Sequence, residues 1–427
     1  LISLFVDVLI GGNYATNKHS QHCFSSTKSL VLRCMRTSII IFTLCFICAA
    51  GKAQISPYQF SSVIDSSLRA DTTPFKYQMA ATAYSYIGEY KLGLETRDRE
   101  FKNKSGQPTE SNKAVLAPFN NKVNATSYIL EQAANTSIVI FNEAHHNPRH
   151  RVFVTILLSE LKKLGYTYIG LEALPYSDSN ININKYPSVT PISYTNEPCF
   201  GNLLREALQL GYTVFPYEAD WELQKKGESR EELQARNIKA IIDKYPDKKF
   251  VIYCGYDHAI EDSTRNFMVL PMAGRLKKMT GIDPFTIDQV QLTESSSKDY
   301  GNRYRKLISH NESIVLNDSA GNVFNKAKNN MITFDCNVYH PDTKYINGRP
   351  DWLYTKGKKA IYVHDKINIA YPCLVKVYRK KDSDTAVPID VVELLHAYDD
   401  KVIMMPAKGK RRVVVTNKLG EKLEIFE

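Results

Sequence analysis

Two stretches of this chain are near copies of each other. One reads Leu164-Gly165-Tyr166-Thr167-Tyr168-Ile169-Gly170-Leu171-Glu172, the other Leu210-Gly211-Tyr212-Thr213-Val214-Phe215-Pro216-Tyr217-Glu218. In each, a glycine closes an amphipathic helix, and a glutamate follows seven residues after it. Glycine suits the left-handed position that ends a helix, and the aromatic and β-branched residues that come next favour a strand. The helix before Gly165 starts at Pro148 and carries Val152, Phe153, Ile156, Leu157, Leu161 and Leu164 as a helical stripe. The helix before Gly211 turns Leu203, Leu204, Ala207 and Leu208 inward.

The same grammar extends in both directions. Upstream, the apolar run Ser137-Ile138-Val139-Ile140-Phe141 ends at Asn142-Glu143-Ala144-His145-His146. Downstream, a helix over about 229–245 leads into Phe250-Val251-Ile252-Tyr253-Cys254, which ends at Gly255-Tyr256-Asp257-His258. A helix over about 265–279 then precedes Pro284-Phe285-Thr286-Ile287. Strands apolar along their whole length and alternating with helices predict an α/β fold, a mostly parallel sheet with helices on both faces. After about residue 298 the pattern changes. Runs at 331–334, 360–363, 373–378, 402–405, 411–415 and 422–426 read as separate strands of a β-rich C-terminal region.

Domain organisation follows. Residues 54–297 form the α/β domain and 298–427 the β-rich region. Residues 1–53 are set apart as a leader. Met35-Arg36 opens a basic segment, an apolar run of about a dozen residues follows, and Gly51-Lys52-Ala53 offers small residues for cleavage. The run is too short to span a bilayer. The expectation is a signal peptide behind 34 residues of upstream sequence, hence a periplasmic or secreted protein with no retained transmembrane segment. Four cysteines, Cys199, Cys254, Cys336 and Cys373, lie beyond the leader in no metal-ligand spacing, and their pairing stays open. The formal charge of +10 divides into +4 for 1–53, +7 for 301–427 and −1 between them. A near-neutral centre argues against a nucleic-acid partner, which needs a basic face beside its site.

Right-handed crossovers put every strand's C-terminal end on one edge of the sheet, where open α/β sheets bind ligands. Glu143, His145, Glu172, Glu218 and His258 all come at strand ends. Two histidines with two or three carboxylates suit two kinds of work. One is a divalent metal (zinc, manganese or iron) on Glu143, His145 and His258, activating water. The other is metal-free hydrolysis, with a histidine as general base and a glutamate holding its tautomer. Either gives ester or amide hydrolysis. His145 is the candidate base or ligand, His258 the second ligand or oxyanion donor, and Glu143 and Glu172 their supports. Glu218, Asp220, Trp221, Arg236 and His146 are candidate contacts to a small-molecule or peptide substrate. The polar stretch 177–197 reads as a lid over this edge.

The run Asn142-Glu143-Ala144-His145-His146-Asn147-Pro148-Arg149-His150 resembles the Gly-Glu-x-His-Asp-Asn-Pro-x-His signature of ChaN-like haem-binding iron-uptake lipoproteins. Gly255-Tyr256-Asp257-His258 resembles the second Gly-x-x-His of Tiki/TraB-type proteins, and Arg236-Asn237 an Arg-Asn pair in that group. Glu172 falls where erythromycin esterases carry a glutamate after the second strand. The resemblance to this broad superfamily covers about 135–292. It implies Glu143, His145, Glu172 and His258 as the site. Because its members include esterases, metal-dependent proteases and haem binders, it leaves two functions open: an exported hydrolase, or a haem- or iron-binding uptake protein without turnover.

Overall fold

In the computed structural model, the chain reaches its sheet through a helical front: α1 (Ser61–Ala70), α2 (Lys76–Tyr86), α3 (Tyr90–Asp98) and α4 (Glu110–Leu116). The structure describes residues 56–426 apart from 102–104, 177, 179, 191–192, 263–269, 329–330 and 332. The expected leader lies outside the described residues. Gly88, at a φ of +75°, makes the turn between α2 and α3.

Strand β1 (Asn121–Asn124) and α5 (Ala125–Ala134) lead into the repeated unit. It runs β2 (Ile138–Glu143), α6 (Arg149–Lys163), β3 (Tyr166–Leu171), the short α7 (Ile181–Asn184), α8 (Pro198–Gln209), β4 (Thr213–Pro216) and the short α9 (Trp221–Lys225). It continues through α10 (Arg230–Lys244), β5 (Lys249–Gly255), α11 (Met272–Thr280) and β6 (Phe285–Asp288). Gly165 and Gly211 sit at φ +94° and +77°, as their place after the two helices requires. All pairings in the six-stranded sheet are parallel, in the order β4-β3-β5-β2-β6-β8, with β8 (Cys336–Asn337) at its outer edge.

The period-two alternation of strand side chains fills both faces. Val139, Phe141, Ile169, Leu171, Val251 and Tyr253 pack against α5, α6 and α8. Ile138, Ile140, Phe250, Ile252 and Cys254 pack against α10 and α11. The fold class read from the sequence is therefore the one observed. The two copies of the repeat also explain each other's difference. Gly170 pairs with Phe215 across β3 and β4, and a Cβ on Gly170 would lie 2.6 Å from the Phe215 ring. One copy supplies the ring and the other the space for it.

Beyond the sheet, β7 (Ile314–Asn317) pairs antiparallel with β1. A short hairpin, β9 (Tyr345–Ile346) and β10 (Arg349–Pro350), precedes β11 (Lys358–Ile361). Strands β12 (Cys373–Arg379), β13 (Asp390–Leu394), β14 (Ile403–Pro406), β15 (Arg411–Asn417) and β16 (Lys422–Phe426) complete the β-rich region. Four of them form an antiparallel sheet ordered β13-β12-β15-β16, while β11 pairs with β14. Among the described residues of 331–334, where a strand was expected, Met331 makes an isolated bridge to Lys328, and the sheet is extended instead by β8, which begins at Cys336. Residues 55–427 form one compact unit. No helix among the described residues is long and apolar enough to cross a membrane. The four cysteines in this unit are free and buried.

One buried ion pair ties the hairpin to the β-rich region. Arg349 Nη2 lies 2.6 Å from Asp390 Oδ1, whose other oxygen accepts from Met404 N at 2.7 Å. Both residues are buried. Asp390→Ala strands a guanidinium without its charge partner, so a loss of about 3–5 kcal/mol is expected in chemical denaturation.

Candidate functional site

The C-terminal edge of the sheet gathers two adjoining clusters. The first is built on the end of β2. Glu143 is wholly buried, on the same face as Val139 and Phe141. Burial alone would raise its carboxyl, but the Arg151 guanidinium and His145 outweigh that and hold it well below the usual carboxylate range. Arg151 Nε and Nη2 donate to its two oxygens at 2.6 and 2.5 Å, and the Tyr253 hydroxyl donates at 2.7 Å. His145 Nδ1 lies 2.8 Å from Glu143 Oε1. With the carboxylate ionised, Nδ1 is the donor of this pair.

The His145 ring is clamped by aromatic rings. Tyr194 stacks on it at 4.1 Å and 28°, and Tyr256 meets it edge-on at 5.0 Å and 84°. Tyr256 has a φ of +42°, unusual for a bulky residue. The last residue of β5 leaves room for the imidazole. A Cβ on Gly255 would lie 2.7 Å from His145 Nε2 and 3.3 Å from Glu172 Oε2. Among the described residues, His145 Nε2 has no hydrogen-bond partner, and its side chain is 12% exposed.

The second cluster surrounds Arg230, the first residue of α10. Its Nη2 donates to Glu172 Oε1 at 2.5 Å and Glu218 Oε2 at 2.6 Å, and Nη1 lies 2.9 Å from His258 Nε2. Glu172 Oε2 accepts from Gly255 N at 2.5 Å. Burial pushes the Glu172 carboxyl up, but His258 and Arg230 bring it down to about 2. His258 Nδ1 approaches Glu231 Oε1 at 2.7 Å. Burial works against its charged form, yet Glu172 and Glu231 raise it above the ordinary histidine value.

Thus Glu143 and His145 share one cluster, while Glu172, Glu218 and His258 share the next, joined to the first across Gly255. Other expected residues fall elsewhere. Arg236 is 54% exposed, and its hydrogen bonds go to Glu228, just before α10, and to Glu232 within it. Its neighbour Asn237 instead ties down the end of β4, donating to Glu218 O at 3.0 Å and Tyr217 O at 3.1 Å. Asp220 is the N-cap of α9, accepting from Glu222 N and Leu223 N. Trp221 lies under Lys225, whose Nζ is 5.4 Å from its ring. His146 is buried and its Nδ1 is unpartnered, so it does not line an open mouth. Asn142, where the resembling signature has glycine, binds β6 through Asp288 at 2.8 Å and Gln289 N at 2.7 Å.

The two arginines went unread in the sequence. Both occupy the first turn of a helix that begins at the sheet's C-terminal edge. A cation there opposes the helix dipole, and that misplacement is the signal that marks them as partners of buried acids. Arg151 Nη1 also reaches Glu197 Oε2 at 2.9 Å. Glu197 caps α8 through Phe200 N. The described part of the stretch 177–197 expected as a lid is tied down in its middle and near its end. Val189 N donates to Thr385 O at 2.6 Å and Val387 N to Pro187 O at 2.9 Å. Ser193 Oγ bonds Ala173 O at 2.9 Å, and Tyr194 covers His145.

A metal does not fit this donor set. Both oxygens of Glu143 and of Glu172 already accept from arginine, tyrosine or backbone donors. Among the described residues, no three of His, Cys, Asp and Glu converge at metal-binding distance. Haem asks for an apolar slot beside an axial nitrogen. The free nitrogen of His145 faces the Gly255 backbone and the Glu172 carboxylate instead.

No known family's sequence profile matches the chain, and no curated protein matches it. Among solved structures, it is similar to the type III effector HopBA1, at 12% identity and a TM-score of 0.27 over 43% of this chain and 95% of that one. A chain described as bacterial protein toxins matches at 14% identity and TM-score 0.29, over 55% and 47%. RRSP, a MARTX toxin effector domain from Vibrio vulnificus, matches at 17% and 0.28, over 64% and 51%. The chain spans about half the length of the latter two. TM-scores this low bear on neither fold nor function.

The start of α6 rests on a neutral histidine. His150 Nδ1 accepts from Ala144 N at 3.0 Å, and Nε2 donates to Thr293 Oγ1 at 3.2 Å. Burial lowers it from 6.5 to about 3. The unfolded chain therefore takes up this proton first as pH falls. The His150 contribution is complete above 6.5 and is lost progressively toward 3. His150→Gln removes that titration. Denaturation series across this window should show the wild type losing stability relative to the variant, by on the order of a few kcal/mol. Parallel pH profiles contradict the assignment.

Proposed function

We propose that this chain is an exported hydrolase that cleaves an ester or peptide bond without a metal, with His145 as general base. Export rests on the leader pattern of residues 35–53. The hydrolytic reading rests on one observation: His145 Nδ1 is held by the ionised Glu143, while Nε2, clamped between two tyrosines, is left without a partner.

In this reading a water beside Nε2 loses a proton to it as its oxygen attacks the substrate carbonyl carbon. Negative charge moves to the carbonyl oxygen, where the Arg230 guanidinium supplies the opposing charge. Collapse breaks the carbon–oxygen or carbon–nitrogen bond, and the imidazolium returns its proton to the leaving group. Glu143 stabilises the imidazolium while keeping its own charge, because Arg151 and Tyr253 occupy its remaining lone pairs. Glu172 orients both sides of the rim through Gly255 N and Arg230. The resemblance to erythromycin esterases and Tiki/TraB-type proteins favours the same reaction class.

The test is a panel of small esters and peptides, with wild type compared against His145→Ala and Glu143→Gln. General-base loss is expected to lower kcat/KM by about 100- to 10,000-fold for His145→Ala, with a smaller drop for Glu143→Gln. Chelator treatment should leave the wild-type rate unchanged. Equal hydrolysis by wild type and His145→Ala, or no turnover of any panel member, would sink the proposal.

Gly255→Ala offers a second handle. Its methyl group would collide with the His145 ring. Activity should fall as in His145→Ala, while circular dichroism remains that of the folded protein.

A further inference from the structure

Away from the rim, the helical front carries an open crevice of about 370 Å³ lined by Asp65, Leu68, Arg69, Lys76, Tyr77 and Arg99. Three cations and one carboxylate meet there. Arg69 Nη2 bonds Ser66 Oγ at 3.2 Å. Lys76 Nζ and Arg99 Cζ each lie 5.2 Å from the centre of the Tyr77 ring. The charges of Lys76 and Arg99 are therefore within about 10 Å of each other, roughly one screening length at moderate salt. None of the three forms an ion pair with a carboxylate among the described residues. Asp65 accepts a hydrogen bond from the Tyr84 hydroxyl.

Arg69 and Arg99 are exposed and Lys76 is half-buried, so the three charges meet at the mouth of the crevice. Arg69, in the last turn of α1, is offset by the helix dipole. Lys76 is the first residue of α2, at that helix's positive end, and no acidic residue stands in its first turn. The crevice has a formal charge of +2, from three cations against Asp65. A dianion would neutralise it.

We propose that this crevice binds a small phosphate monoester. Near neutral pH such a group carries close to two negative charges. The forked donors of Arg69 and Arg99 suit its oxygens. Leu68 and the Tyr77 ring give its organic part an apolar wall, and the volume is that of a small-ligand site. The assignment is independent of the hydrolase reading.

The experiment is titration calorimetry of the purified protein with phenyl phosphate at low salt, repeated with the Arg69→Gln/Arg99→Gln double variant and with His145→Ala. Saturable binding is expected in wild type and His145→Ala. The double variant, whose thermal melt checks that it folds, should bind about tenfold or more weakly. A second arm cosediments the protein with vesicles containing phosphatidic acid. Retention that the double variant loses supports the site with its phosphate carried on a lipid. Saturable binding that the double variant retains in full, or no response to either probe, overturns the assignment.

Discussion

A carboxylate with no access to water must be paired, and the pairing of Glu143 organises this molecule. Desolvating that charge costs several kcal/mol unless hydrogen bonds and an opposite charge replace the lost water. Arg151 replaces most of it and is itself wholly buried, so it needs a second acid, which Glu197 supplies. A continuous polar chain thus runs from Tyr253 on β5 through Glu143 on β2 and Arg151 on α6 to the cap of α8. Four elements brought together by apolar packing are fixed in register by one network, and the orientation of His145 is its by-product.

The neighbouring cluster uses the same device with more solvent. Arg230 answers Glu172 and Glu218 as Arg151 answers Glu143 and Glu197. The repeated strand–helix unit therefore repeats its chemistry as well as its folding pattern. A glutamate ends or follows a strand, and an arginine in the first turn of a helix at the same edge meets it. The clusters touch at Gly255, where a residue with no side chain lets an imidazole and a carboxylate approach one backbone.

Much of the fold was legible, because the apolar runs that make parallel strands and the glycines that end α6 and α8 are local signals. The strand ends bearing Glu143, Glu172 and His258 were legible for the same reason. The arginines were not, since a cation on an amphipathic helix reads as solvated until the acid it meets, contributed by a distant strand, is in view. Arg236 was named on a short motif, but its side chain turns outward to Glu228 and Glu232, whereas Arg230 and Asn237 of the same helix reach the sheet edge. His146 read as a substrate contact, and nothing in the sequence marked His150 as buried. Both are buried, and segments far along the chain close over His150: Thr293 bonds it and the His340 ring stacks on it at 5.6 Å. No local pattern announces such a cover.

The anchoring of the Tyr194 segment has a wider consequence. Pro187, Ser188 and Val189 are stitched to residues 385–387 of the β-rich region. The connection between β12 and β13 is thus an abutment for the roof above His145. Trimming the chain to its α/β half would remove the brace that keeps an aromatic ceiling over the imidazole, and the shape of the reaction chamber depends on residues that never enter it.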